Sequence, residues 1–287
     1  MEANTNLNDR RLADAWAELH NFAVEGNPLE ADSYRLAFAD PEFMLRRETR
    51  GIRFQLELLK PDLEMAEQGV EHTIVVYGSA RMLAPEGAAE QLAAAEISGD
   101  AERIARGKLA VKNAHYYDQA RQFARLVAEY SEAKPKADRI YICTGGGPGI
   151  MEAANRGAHD VGALNVGLNI TLPHEQSGNQ YISPSLCFKF HYFALRKMHF
   201  LMRAKALVAF PGGFGTLDEL FEVLTLIQTG KAKALPIILF GTEFWKKLIN
   251  FEALVEQGTI SASDLKLFKY VDDPAEAWQL IQDFYKL

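Results

Sequence analysis

Short runs of β-branched and other apolar residues alternate with amphipathic segments from residue 72 onward. Continuous apolar strands separated by helices are typical of a parallel sheet covered on both faces, because parallel strands need a crossover connection. The alternation therefore predicts an α/β, Rossmann-like fold. The predicted strands cover residues 73–77, 139–143, 163–170, 206–210 and 236–240, and the predicted helices 115–132, 149–160, 191–204, 216–229, 243–256 and 274–285.

Two segments lie outside this alternation. Residues 1–70 are polar and amphipathic and predict an N-terminal helical extension that packs against the main domain or a partner subunit. Residues 82–113, rich in Ala, Glu and Gly, interrupt the first βα unit and predict a helical or mobile insertion. The Rossmann-like domain is thus expected to cover residues 71–287. The helical steps of the extension are clearest at Leu12, Ala15, Trp16, Leu19 and Phe22.

Composition argues against several classes of protein. The 287 residues carry a net charge of -7, which disfavours a nucleic-acid backbone binder because such domains usually carry a basic patch. The two cysteines, Cys143 and Cys187, have no CxxC spacing and support neither a zinc site nor a disulfide scaffold. No apolar stretch approaches the roughly 18 residues that span a bilayer, and the first residues lack the apolar core of a signal peptide. We therefore expect a cytoplasmic protein with no membrane or nucleic-acid partner and no bound metal.

Turns of small residues follow three predicted strands: GSAR at 78–81, GGGPG at 145–149 and PGGFGT at 211–216. Glycine lets a ligand approach the main chain closely, and each turn enters a helix whose first N–H groups are unpaired and partially positive. Each turn alone could be only a tight turn, but three at one edge of a parallel sheet predict a phosphate site. The glycine spacing matches neither G-x-G-x-x-G nor a Walker A motif, which argues against a dinucleotide dehydrogenase and an NTPase.

Thr216 and Glu219 have two interpretations. The spacing Thr-x-x-Glu predicts a capping box, with Thr216 as the N-cap of the helix and Glu219 at its third position. A carboxylate at this point could also accept hydrogen bonds from ribose hydroxyls or orient a water molecule. The two roles do not exclude each other.

The predicted helix at 191–204 is apolar over most of its circumference but carries one polar stripe. Such a stripe on a largely buried helix must face acidic side chains, a bound phosphate or solvent. Arg196 is the best candidate for a ligand contact, and a buried ion pair is the alternative. The stripe consists of Tyr192, Arg196, His199 and Arg203.

The segments GGGPGIMEA at 145–153 and PGGFGTLDE at 211–219, with the pair Arg196-Lys197 between them, resemble the Lonely Guy (LOG) family. The resemblance covers roughly residues 72–256, and P-G-G-x-G-T-x-x-E is highly specific to that family. It implies a Rossmann-like homodimer or higher homo-oligomer. It also implies hydrolysis of the N-glycosidic bond of a purine nucleoside 5'-monophosphate, without a cofactor, to free base and ribose 5-phosphate.

The resemblance carries residue roles to matching positions. Arg196 and Glu219 would be catalytic, and the last turn would hold the phosphate. The chain has Gly-Ile-Met-Glu at 149–152 where plant-type members show Gly-Leu-Met-Gly, which favours AMP or a related monophosphate over a cytokinin riboside monophosphate. The predicted phosphate- or nucleotide-binding residues are Gly78, Ser79, Gly146, Gly147, Gly149, Lys197, Gly212, Gly213, Gly215 and Thr216.

Cleavage of a ribosyl C–N bond builds positive charge on the sugar, which a carboxylate stabilises while it activates water. We assign this role to Glu219. The purine leaving group also needs a proton, and the weak candidates for its donor are His174, His191 and Tyr192; Glu175 is a further weak candidate for a ligand contact. The alternative function is a non-catalytic nucleotide or molybdenum-cofactor carrier, or a nucleotide sensor, that uses the same loops.

Overall fold

The structure, a computed structural model, describes residues 36–171 and 177–287. It divides into two compact units between Glu57 and Leu58, whereas the sequence predicted a boundary near residue 70. In the part of the chain described, no helix is long and apolar enough to cross a membrane.

The first unit is helical where it is described. A 3-10 turn at Ala37–Ala39 precedes helix α1 (Pro41–Leu45), and helix α2 (Arg50–Glu67) begins in this unit and ends in the second. The Asp40 carboxylate caps α1 by accepting hydrogen bonds from two backbone N–H groups at 3.0 and 3.1 Å. The predicted helical character is confirmed for these residues, while the apolar steps from Leu12 to Phe22 lie outside the described residues.

The second unit alternates strands and helices as the sequence predicted. Its 3-10 turns are Lys136–Asp138, Pro184–Leu186 and Asp264–Lys266. In chain order its strands and helices are β1 (His72–Tyr77), α3 (Pro85–Ser98), α4 (Ala101–Asn113), α5 (His115–Glu132), β2 (Ile140–Thr144), α6 (Ile150–His159), β3 (Asn165–Ile170), β4 (Cys187–Phe190), α7 (Phe193–Met202), β5 (Ala204–Ala209), α8 (Phe214–Gln228), β6 (Ile237–Phe240), α9 (Thr242–Leu248), α10 (Phe251–Glu256), β7 (Phe268–Val271) and α11 (Pro274–Tyr285).

The strands form one parallel sheet in the order β4-β3-β2-β1-β5-β6-β7. The strand order reverses between β1 and β5, which is where ligands bind in open α/β sheets. The predicted Rossmann-like fold is confirmed.

Alternate residues of each central strand face two separate hydrophobic cores. On β1, Ile74 and Val76 pack on one face with α5, α6 and α11. Val75 and Tyr77 pack on the other face with α7, α8 and Trp245. Helices therefore cover both faces of the sheet, and only its edges and strand ends are left to bind a ligand.

Two strands were not predicted, and one predicted helix differs from the structure. The sequence analysis missed the edge strands β4 and β7, which are only four residues long and alternate exposed with buried side chains in β4. The predicted helix at 243–256 is two helices, α9 and α10, because the chain becomes extended at Ile249 and Asn250 caps the second helix.

The predicted insertion at 82–113 contains α3 and α4, so its described residues are helical. Asp100 starts α4 by accepting hydrogen bonds from two N–H groups at 2.9 and 3.0 Å. Immediately after it, α5 covers the sheet and the hydroxyl of Tyr117 donates to Glu152 at 2.8 Å. This bond gives a structural role to the glutamate that stands where plant-type LOG members have glycine.

Candidate functional site

The three glycine-rich loops meet at the carboxyl edge of β2, β1 and β5. Ser79 ties them together, because its N–H donates to the Pro211 carbonyl at 3.0 Å and its carbonyl accepts from the N–H of Ile150 at 3.1 Å. The loops border a cleft of about 840 Å³. This volume is within the usual range of small-molecule sites.

The cleft extends from the end of β5 across the sheet to the edge strand β4. Six of the ten predicted phosphate-binding residues line it: Gly78, Ser79, Gly147, Gly213, Gly215 and Thr216. Arg196 and Glu219 line it as well. The other four predicted residues, Gly146, Gly149, Gly212 and Lys197, lie outside its lining.

Helix α8 begins at Phe214, with Gly213 as its N-cap and no side chain capping it. The predicted capping box is therefore wrong: Thr216 and Glu219 lie inside the helix, because the chain turns helical two residues earlier than the Thr-x-x-Glu spacing indicated. Thr216 packs so closely on Gly212 that a Cβ there would overlap its hydroxyl. The first N–H groups of α8 therefore stay without a side-chain cap where the loop lines the cleft.

Arg196 and Glu219 form an ion pair at the floor of the cleft. Nη2 of Arg196 lies 2.9 Å from Oε1 of Glu219, and the two side chains are 13% and 7% exposed. The Arg196 guanidinium lies between the rings of Phe193 and Phe200, at 5.1 and 5.5 Å from their centroids. Its buried Nε has no hydrogen-bond partner among the described residues. The arginine therefore has a donor group left over after pairing with the glutamate.

Burial raises the pKa of Glu219 above its ordinary value of 4.5, while the positive charges of Arg196 and Lys197 oppose the rise. Desolvation disfavours the charged form of a carboxyl group, and the nearby cations keep the ionised form accessible. A carboxylate in such a state is suited to accept a proton or to stabilise a developing positive charge.

The polar stripe of α7 faces the interior. His199 is 2% exposed and packs on the ring of Phe190 at 5.3 Å between centroids. Arg203 pairs with Asp62 at 2.7 Å and donates to the Val70 carbonyl at 2.9 Å. Of the alternatives left open for this stripe, solvent exposure does not hold, while Arg196 has both the ion pair and a place in the cleft.

Lys197 has two carboxylate partners on α8. Its ammonium lies 2.7 Å from Asp218 and 3.3 Å from Glu222. Burial works to lower the pKa of Lys197, but hydrogen bonds to these carboxylates outweigh it and raise the pKa. The lysine thus joins α7 to α8, and its role in nucleotide binding remains a prediction from the resemblance.

The β2–α6 loop is shaped by packing. Gly146 and Gly149 have φ values of +71° and +70°, which L side chains rarely adopt. A Cβ at Gly146 would overlap the side chain of Asn169, and one at Gly149 would overlap the backbone of the β1 loop at Ser79 and Ala80. These glycines allow the loops to approach each other.

Sequence reasoning missed several residues that line the cleft. Arg81 and Lys189 add positive charge, so that with Arg196 three cations in the lining oppose the single carboxylate of Glu219. Phe214, 92% exposed, stands at its rim. A basic cleft in a protein of net charge -7 favours an anionic ligand. The GSAR turn contained a signal for Arg81. Lys189 and Asn169 lie on strands, and the local sequence does not show which side of the sheet their side chains occupy.

Tyr77, the last residue of β1, also lines the cleft. Burial, and next the negative charge of Glu219, raise the pKa of Tyr77 well above its ordinary value. Its hydroxyl therefore stays protonated.

His191 and Tyr192 do not line the cleft, and His174 and Glu175 lie outside the described residues. Within residues 36–171 and 177–287, no group of three His, Cys, Asp or Glu side chains could hold a metal ion.

Comparison with known proteins gives relatives of one kind. The model of the family described as "Possible lysine decarboxylase" matches residues 151–281. The probable cytokinin riboside 5'-monophosphate phosphoribohydrolase LOGL5 of Oryza sativa subsp. japonica is 30% identical over 187 residues, which are 59% of this chain and 72% of that protein. Cytokinin riboside 5'-monophosphate phosphoribohydrolase LOG2 of Arabidopsis thaliana is 27% identical over 173 residues, 59% of this chain and 76% of that protein.

A solved structure is also similar. The molybdenum cofactor binding protein from Rippkaea orientalis is 17% identical, with a TM-score of 0.46 over 75% of this chain and 98% of that one. A likeness this weak carries no functional argument. The sequence relatives establish the family, because LOGL5 is 30% identical and this chain covers 72% of its length. The chain belongs to the Lonely Guy family of phosphoribohydrolases.

Proposed function

We propose that this protein hydrolyses the N-glycosidic bond of a purine nucleoside 5'-monophosphate to free base and ribose 5-phosphate. AMP is the preferred candidate, and a cytokinin riboside monophosphate the second. The observation that carries the proposal is the Arg196–Glu219 pair, held at 2.9 Å on the floor of a cleft whose rim contains three glycine-rich loops. The names of the plant relatives agree with it, since they are phosphoribohydrolases of nucleoside monophosphates.

The phosphate binds at the start of α8. The first N–H groups of the helix carry partial positive charge, and a Cβ at Gly213 or Gly215 would meet no atom within 4 Å, so that the backbone can be approached closely. The Thr216 hydroxyl, 7% exposed and part of the same turn, is a further donor. Phosphate bound here brings the ribose over Glu219, one turn further along the helix.

The bond between C1' of the ribose and the base nitrogen breaks with its electron pair on the nitrogen. Positive charge builds on the ribose ring, and the Glu219 carboxylate stabilises it. The oxygen of a water molecule forms the new bond to C1' and gives up one proton, which Glu219 accepts. A proton from solvent or from this carboxyl group reaches the departing base. The atoms and protons of substrate and water are then all accounted for in the free base and the sugar phosphate. Arg196 holds the carboxylate through the ion pair at 2.9 Å.

Incubation with a panel of nucleoside 5'-monophosphates and the matching nucleosides tests the proposal, with free base followed by chromatography. We expect base from a monophosphate and none from its nucleoside, and a loss of about 10²–10⁴-fold in Glu219→Gln. Glu222→Gln is the matched control, because Glu222 lies on the same helix outside the cleft lining. Tight binding of a monophosphate with no release of base would instead support a carrier or a sensor.

The proposal includes a homodimer or higher homo-oligomer. On α7, the helix that carries Arg196, the side chains of Met198 and Met202 are each about half exposed and lie four residues apart, so they share one face of the helix. Clustered apolar side chains on a surface commonly mark an interface. Size-exclusion chromatography with light scattering would measure the assembly, and a monomer at all concentrations would remove this part of the proposal.

A further inference from the structure

A network of buried amides lies behind the β2–α6 loop, on residues that neither the glycine motifs nor the resemblance assigns. Its centre is Asn155 on α6, which is fully buried. The Asn155 Oδ1 accepts from the Thr144 hydroxyl at 2.7 Å and from Nδ2 of Asn179 at 2.9 Å. Its Nδ2 donates to Oδ1 of Asn165 at 2.8 Å. The orientation of this amide is therefore fixed by partners on all sides.

Asn179 connects the network to the loop. Its backbone N–H donates to the Gly146 carbonyl at 2.8 Å, and its Nδ2 lies 3.2 Å from the same oxygen and 3.1 Å from the Gly147 carbonyl. Two successive carbonyl groups of the loop thus face one side chain. Because C=O and N–H point to opposite sides of a trans peptide, the bond at the Gly146 carbonyl directs the Gly147 N–H away from Asn179.

Three other positions of the loop offer no free N–H group. The Gly146 N–H donates to the Thr144 hydroxyl at 2.9 Å, Pro148 has none, and the Ile150 N–H donates to the Ser79 carbonyl. Gly149 packs against the β1 loop outside the cleft lining. Gly147 lines the cleft, and no described residue accepts a hydrogen bond from its N–H.

We propose that Asn179 is a positioning residue that turns the Gly147 N–H into the cleft as a donor for the phosphate of the ligand. A backbone donor fixed in this direction costs no reorganisation when an anion binds. Asn155 holds Asn179 in turn, so Asn179 and the loop that follows β2 act as one wall. The proposal deepens the proposed function, and it rests on that function only for the identity of the ligand.

The direct test observes the amides of the wild-type protein. Labelling with ¹³C'-glycine and ¹⁵N-glycine selects Gly-Gly pairs, which leaves the amides of Gly146, Gly147 and Gly213. Titration with inorganic phosphate, and separately with AMP, should shift the Gly147 and Gly213 signals. Gly146 is the internal control, because its N–H is held by Thr144. The Gly213→Ala variant loses one of the three signals and thereby identifies the amide of Gly213.

The second test uses variants and calorimetry. Asn179→Asp places a carboxylate against two carbonyl oxygens, so we expect the Kd for inorganic phosphate and for AMP to rise about tenfold or more, with adenosine binding unchanged. Asn179→Ala removes the donors without adding charge and should give a smaller rise in the same direction. Asn250→Asp is the matched control, because an aspartate there still caps α10.

Turnover adds a readout that separates positioning from general damage. If the protein is the proposed hydrolase, Asn179→Asp raises KM for the monophosphate with kcat little changed, the signature of lost ground-state binding. Phosphate and AMP binding need no turnover, so they test the inference even if no base is released. A Gly147 signal that does not move at saturation, a wild type that binds neither probe, or wild-type Kd values in both Asn179 variants would overturn it.

Discussion

The β5–α8 loop and the β2–α6 loop use glycine for different reasons. In the first, a Cβ at Gly213 or Gly215 would meet nothing within 4 Å, and neither residue has positive φ. In the second, Gly146 and Gly149 have positive φ, and a Cβ would overlap neighbouring atoms. Gly213 and Gly215 of the first loop, which we call the contact loop, leave space for a ligand. Gly146 and Gly149 of the second, which we call the shape loop, let three loops pack together, while Gly147 provides the proposed donor. Similar composition therefore conceals glycines that leave room for a ligand and glycines that the packing of the loops requires.

The first prediction concerns the chemistry beside the contact loop, where Arg196 of α7 pairs with Glu219 of α8. Arg196→Ala removes the partner of Glu219 and the unpaired Nε donor, and we expect kcat to fall about 10²–10³-fold. Arg125→Ala is the control, because this arginine forms an exposed ion pair with Glu129 away from the cleft. Steady-state kinetics of both variants with the best monophosphate measures the effect. Wild-type kcat in Arg196→Ala would remove the ion pair from the mechanism.

The second prediction tests the shape loop. Gly149→Ala forces an L residue to adopt φ of 70° with ψ of -128°, a sparsely populated conformation that costs about 1–3 kcal/mol. The added Cβ also overlaps backbone atoms of Ser79 and Ala80. We expect the free energy of unfolding to fall by roughly 3 kcal/mol, or Tm by about 6–12 °C. Thermal unfolding followed by circular dichroism measures it. An unchanged Tm would mean that this glycine is not needed for packing.

The third prediction sharpens the contrast with the opposite result. Gly215→Ala adds a methyl group to open space at the start of α8, so the free energy of unfolding should stay the same or rise by up to about 1 kcal/mol. The methyl group lies where the ligand approaches, so KM should rise about tenfold. The same unfolding and kinetic measurements apply. A Tm loss as large as that of Gly149→Ala would end the distinction between the two loops.

The fourth prediction follows from the pKa of Glu219. The hydrolysis requires its ionised form, so kcat/KM should fall as pH decreases through the pKa of this carboxyl group. Burial raises that pKa above 4.5, so the acid limb should lie at higher pH than for an ordinary glutamate. A pH profile measured where circular dichroism shows the fold intact would detect it. A limb at or below 4.5 would contradict the assignment.

Much of this protein could be predicted from local patterns. The five central strands and most helices were predicted to within a few residues, because a strand buried on both faces is apolar throughout and a covering helix is amphipathic. The edge strands β4 and β7 were missed, since four residues with alternating burial give too weak a signal. The capping box failed because Thr-x-x-Glu fits a helix start, but the glycines before it already adopt the turn that begins α8.

The sequence by itself determined the fold class and the three glycine-rich turns, and it singled out Arg196 and Glu219 as candidate site residues. Only the tertiary structure decided which glycines line the cleft, that Lys197 pairs with Asp218 and Glu222, and that Asn179 holds the β2–α6 loop. The physical reason is the separation along the chain of the groups that interact. Strand and helix patterns arise from neighbours along the chain, whereas the direction of a peptide N–H or a guanidinium is set by groups from distant elements that meet only after the sheet has formed.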